Sequence, residues 1–171
     1  LSRYSGGDWN KSLNELYPFV NDNSLDTSMA NMSSIVLLLQ NKTKKGILTG
    51  DVTPRRFEEI SDILFKENGN QKLKLDFIKL PHHGSHRSIT REIFSKFDCE
   101  NYVISTNGLN HFLPNKKALL KVLEYHDKDR NELNFLFNYS DLIEKLNLTS
   151  KEMSDYRFKI TKNNFDYGIC M

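Results

Sequence analysis

Apolar residues in this chain fall into short blocks cut by polar turns, and the period of each block names its element. Ser34 to Leu39 is a continuous apolar run with β-branched members, and Gly46-Ile47-Leu48-Thr49 follows after the polar stretch Asn41 to Lys45. Two buried strands joined by a turn are predicted there. Thr53 then suits an N-cap, Pro54 a first helical turn, and Phe57, Ile60, Ile63 and Leu64 make one stripe, so a helix is predicted from Pro54 to Lys66. Leu75 to Leu80 reads as a strand stopped by Pro81, and Thr90 to Phe97 as a helix. Tyr102 to Ser105 reads as a strand, 107–115 as a loop, and Lys116 to Tyr125 as a helix with Leu119, Leu120 and Leu123 inward.

Leu133 to Phe137 is a further strand, and Thr149-Ser150-Lys151-Glu152 is a capping box. Phe158 to Ile160 and Gly168 to Cys170 are predicted to close the sheet, while the polar first 33 residues read as a surface lead-in with a short helix over Ser12 to Val20. Strands alternating with helices predict an α/β layered architecture in a single domain spanning residues 1–171.

Composition narrows the function classes. The 171 residues are 38% hydrophobic and 27% charged, as a packed domain requires, and the net charge of +2 gives no bulk field to mark a nucleic-acid binder. Cys99 and Cys170 form no metal-type spacing, which points to a reducing cytoplasm. No apolar run approaches the ~20 residues of a membrane span, and no signal-peptide order opens the chain, so no membrane partner is expected. Because the first residue is Leu1 rather than Met, the chain is expected to be a segment of a longer protein. P-loop, dinucleotide-binding and serine-hydrolase elbow motifs are absent.

The candidate chemistry sits at two strand ends. All five histidines lie at or after position 82, and His82, His83 and His86 share the stretch from Pro81 to Ser88, directly after a predicted strand. Asp51 likewise follows a strand and precedes a helix, where it can cap that helix or face a site. An aspartate and an imidazole from adjacent strand ends can converge on one zinc ion at ~2.0–2.2 Å. A catalytic zinc needs about three protein ligands, so His82, His86 or His111 would have to join. His126 is expected to be solvated. Lys42, Lys44, Lys45, Arg55, Arg56 and Arg87 are cations available to phosphate, although such scattered charges usually mark solvated faces.

Four blocks in order, from Asn31 to Leu39, Gly46 to Asp51, Asp76 to Ser85 and Ile104 to Gly108, resemble the metallo-β-lactamase superfamily. Their order is most similar to the branch holding the hydrolase domain of ComEC-type DNA-uptake proteins, over about Asp26 to Tyr125. The resemblance implies the C-terminal half of an αββα sandwich and a metal-dependent hydrolase with one or two zinc ions, or manganese. Phosphodiester or nucleic-acid substrates are favoured. Carried over, Asp51 matches the metal-bridging aspartate and one histidine of His82-His83 a metal ligand; the resemblance does not settle which, and His83 is the favoured ligand, with His82 left to bond substrate or shuttle a proton. Ser85 and Asn107 would orient a substrate oxygen.

Two departures stand beside the match. The family's H-x-H-x-D-H motif is missing, since no histidine precedes His82, so an upstream half of the same fold, covalent or separate, is expected to complete the site. The family's His-Pro pair is replaced by Leu113-Pro114, so either His111 substitutes through a shifted loop or that function is lost. The competing expectation is a non-catalytic binding or regulatory module of the same fold.

Overall fold

Side-chain caps and prolines set the ends of several helices. Ser12 and Thr149 each accept the N–H of the glutamate three residues on, and each glutamate accepts the cap residue's own N–H, two complete capping boxes. The computed structural model describes residues 7–22, 24–126 and 131–163. Its elements in chain order are α1 (Leu13–Leu16), α2 (Met29–Met32), β1 (Leu37–Gln40), β2 (Lys45–Leu48), α3 (Pro54–Glu67), β3 (Leu73–Leu75), β4 (Phe77–Lys79), α4 (Arg91–Phe94), β5 (Phe97–Cys99), β6 (Asn101–Ile104), α5 (Lys116–Tyr125), β7 (Leu133–Phe137), α6 (Asp141–Lys145), α7 (Ser150–Asp155) and β8 (Phe158–Lys162).

Among the described residues six strands form one sheet in the order β1-β2-β4-β6-β7-β8, parallel throughout except for the antiparallel pair β1–β2. This is the α/β architecture expected, with a mostly parallel central sheet. The run predicted as one strand over Leu75 to Leu80 is divided: β3 pairs with β5 in a separate two-stranded sheet, and β4 enters the main one. The predicted helix over Thr90 to Phe97 ends at Phe94, and Phe97 opens β5 instead. Thr53 occupies the N-cap of α3, but its hydroxyl is buried without a hydrogen-bond partner among the described residues, so the expected capping bond is not made. The strand expected over Gly168 to Cys170 lies outside the described residues.

The two sheet faces differ. The register places Leu38, Ile47, Ile78, Tyr102 and Phe135 on one face. From Ile47 to Phe135 these residues are fully buried, and Tyr102 packs on Phe94 of α4 and on His126 at the end of α5. The opposite face carries Leu37, Leu39, Leu48, Phe77 and Val103 in register, and none of these is fully buried. β1 corrects the sequence expectation of a buried strand: Leu37, Leu38 and Leu39 are 49%, 41% and 44% exposed. As an edge strand, β1 has no further strand beside it among the described residues.

The lead-in is more deeply engaged than a surface strap. Leu13, Leu16 and Val20 enter the core, and Leu13 N–H donates to Glu152 Oε1 at 2.7 Å. Asp8 caps α5 from 108 residues away, accepting the N–H groups of Lys116 and Lys117 at 2.8 Å each. Trp9 Nε1–H donates to Pro114 O at 2.8 Å.

Candidate functional site

Because β2 and β4 are parallel neighbours, the loops leaving their C-terminal ends emerge side by side. The backbone ties them directly. Gly50 O accepts the N–H of His82 at 3.0 Å and the Lys79 ammonium at 2.9 Å, and Thr49 Oγ1–H donates to Lys79 O at 2.7 Å. Burial pushes the Lys79 ammonium below its ordinary pKa, and the charge of Asp51 works against that shift. Left-handed backbone gives the histidine loop its shape: His82 and His83 have φ of 46° and 55°. Such conformations cost about 1–3 kcal/mol each in a non-glycine residue and collect at functional sites. Gly84 continues the bend at φ 84°, and a Cβ there would stand 2.7 Å from Pro114 Cβ, so glycine is required on both counts.

The outcome is a convergence of the two loop tips. His83 Nε2 stands 3.5 Å from Asp51 Oδ1, with the two side chains about 40% exposed, and His83 Nδ1 lies 2.6 Å from Ser105 O. A carbonyl accepts only, so Nδ1 carries a proton, which leaves Nε2 as the nitrogen facing Asp51. Two donors on one tetrahedral zinc stand roughly 3.3–3.6 Å apart, which is the spacing of this pair. The Ser105 carbonyl supplies the outer contact that a ligating histidine ordinarily has. Among the described residues no third histidine, cysteine or acidic group joins to complete a metal cluster.

A cavity of about 510 Å³ opens on this pair, and Asp51, His82, His83, Asn107 and His111 all line it, together with Ser105, Thr106, Asn110, Leu113, Asn138 and Tyr139. Asn107 Oδ1 accepts Leu109 N–H at 3.1 Å, and His111 stands exposed at φ 59° on the rim loop. Asn138 Oδ1 is buried there with no partner among the described residues. Ser85 is not in the lining: it is buried, and its backbone N–H closes the turn onto His82 O. His86 is turned elsewhere, with Nδ1 2.8 Å from Asn115 Oδ1 and Nε2 3.9 Å from Asp22. Burial holds its pKa below the ordinary value.

Other residues take different places from those expected. His126 is not solvated: its Nε2 lies 2.7 Å from the Tyr102 hydroxyl and its Nδ1 2.9 Å from Val122 O. Of the scattered cations, Arg87 donates to Leu25 O at 2.6 Å, while Arg55 and Arg56, paired with Glu59, and Lys44, paired with Asp76, stand on exposed faces as such charges usually do. The Cys99 thiol is buried and pushed up to about 12 by that burial, so it is no nucleophile.

Asp26 was not singled out in the sequence. It is 9% exposed, and its Oδ2 stands 3.1 Å from His82 Nδ1. The signal available was slight, one acidic residue among several in the polar stretch before the first apolar block.

No family model matches this chain, and no solved structure matches it. Among curated proteins it is similar to ComE operon protein 3 of Bacillus subtilis (strain 168), 27% identical over 101 residues, which are 59% of this chain and 12% of that protein. The likeness is distant and covers a small part of the relative. No described helix is long and apolar enough to cross a membrane.

Proposed function

We propose that this chain is the helix-covered half of a metal-dependent hydrolase of the metallo-β-lactamase fold, acting on phosphodiesters or nucleic acid. One observation carries the proposal: Asp51 and His83, on adjacent parallel strand ends, meet at the spacing of two ligands on one zinc. The likeness to a ComE operon protein supports the same direction as the motif resemblance. Asp51 Oδ1 and His83 Nε2 would hold zinc or manganese. When bound, such an ion acidifies a water and polarises a phosphoryl oxygen. The chain's own groups do the rest. The Ser105 carbonyl holds the His83 ring in its ligating tautomer. His82, beside the pair, moves a proton at Nε2, and the Asn107 amide and the His111 ring, on the rim, orient substrate oxygens.

Two ligands are too few for a catalytic centre, so a further segment must supply the others. The open sheet face of Leu37, Leu39, Leu48, Phe77 and Val103 ends beside Asp51, and a second layer packed there would bring its loops to the same cavity.

The test is metal analysis of the complete protein containing this chain, paired with turnover of a bis-aryl phosphate diester. Stoichiometric zinc or manganese, lost together with hydrolysis in Asp51→Ala, is the expected result. Absence of metal and of hydrolysis in both proteins replaces the enzyme with a binding module.

A further inference from the structure

We infer that Asp26 is the positioning residue of His82: its buried carboxylate holds the ring's Nδ1–H and so presents a bare Nε2 to the cavity shared with Asp51 and His83. The inference rests on the reading above for its catalytic meaning, but its geometry stands apart. His82 lines the cavity, yet its Nδ1 is turned away to Asp26 Oδ2 at 3.1 Å.

The carboxylate is itself fixed. Its Oδ1 accepts Ser28 N–H at 3.0 Å, and its Oδ2 accepts the Asn31 amide at 2.8 Å. Asp26 N–H in turn donates to Arg87 O at 3.0 Å, and the Arg87 guanidinium donates to Leu25 O, so the segment is pinned to the turn that follows the histidine loop.

The tautomer follows from donor counting. Asn31 Nδ2 also lies 3.4 Å from His82 Nδ1, and a donation there would force the proton onto Nε2. The same amide is far better placed on Asp26 Oδ2, and an ionised carboxylate can only accept. Burial raises the Asp26 pKa, but the Asn31 and Ser28 donors and the His82 ring outweigh it, keeping the group below the ordinary carboxylate range and ionised. His82 and His83 are therefore prepared alike, each with an oxygen acceptor on Nδ1, one from the lead-in and one from the end of β6. A stretch remote in sequence thus decides which nitrogen of His82 meets a substrate.

The experiment reads the ring nitrogens directly. The full chain, metal-free and labelled with ¹⁵N-histidine, is examined by long-range proton–nitrogen NMR at mildly alkaline pH, with the His82 signals identified by their loss in His82→Gln. The expected result is a protonated Nδ1 and a bare Nε2, with Asp26→Ala shifting the proton toward Nε2. A wild-type ring carrying its proton on Nε2 overturns the inference, as does an unchanged ring in a folded Asp26→Ala chain. Should Asp26→Ala fail to fold, the wild-type spectrum still decides. A protein without hydrolase activity would defeat the functional reading while leaving this spectrum as expected. In the active complete protein, Asp26→Ala should lower kcat by about 10–100-fold with metal retained; metal loss as large as in Asp51→Ala would overturn the inference.

Discussion

Zinc titration of this chain alone is the sharpest perturbation the site allows. A complete four-ligand zinc site is worth about 10–16 kcal/mol, so two of its four donors contribute roughly 5–8 kcal/mol at most. That corresponds to a Kd between about 1 µM and 0.2 mM. Water still reaches both side chains, 40% and 41% exposed, and favours the weak end of the interval. Calorimetric titration of zinc into the metal-free chain should therefore give one weak event. Asp51→Ala and His83→Ala should each abolish it, while His82→Gln should leave it in place. Nanomolar affinity in the wild-type chain would refute the two-ligand arithmetic. Equal affinity in wild type and Asp51→Ala would refute the pairing of the loops.

Two further outcomes test the surrounding structure. Burial raises the pKa values of Asp22 and Glu152, but the Lys117 and Lys121 ammonium groups around Asp22 and the Thr149 and Leu13 N–H donors on Glu152 outweigh it, so both fold with values below the ordinary range. A lowered folded pKa stabilises the protein above the unfolded carboxylate range of about 4, and that stability is lost as pH falls through the folded values; urea unfolding across that window should show the loss, with Asp22→Asn flattening it. On the open face, Leu37→Lys with Leu39→Lys should change unfolding free energy by no more than about 0.5 kcal/mol while reducing light scattering from self-association; a large stability loss would mean that this face is already covered.

The elements were legible where one physical signal dominated. Lys116 to Tyr125 and Leu133 to Phe137 appear with the expected ends, because amphipathic period and apolar saturation are local properties. The division at Asp76 was not legible, since one short stretch of alternating apolar and polar residues contains strands of two sheets, and only the pairing of β3 with β5 separates them. β1 misled for a related reason: apolar sequence reports a surface to be covered, not what covers it. At the site, the meeting of Asp51 with His83 was readable from strand-end logic. The roles of Asp26 and the Ser105 carbonyl were not, because a carboxylate 56 residues from its imidazole, and a backbone oxygen, carry no motif. Ser85, offered with the family resemblance as a substrate contact, is buried and belongs to the turn.

The clasp of Asp8, Trp9 and Leu13 on Pro114, α5 and Glu152 joins stretches 105 to 139 residues apart. During synthesis these contacts must wait until Pro114, the start of α5 and then Glu152 have left the ribosome. Until then α5 lacks its cap and the early apolar side chains lack their seat, which leaves a long interval of exposed surface on the growing polypeptide. A nascent stretch of this kind should lean on holdase chaperones for as long as that interval lasts.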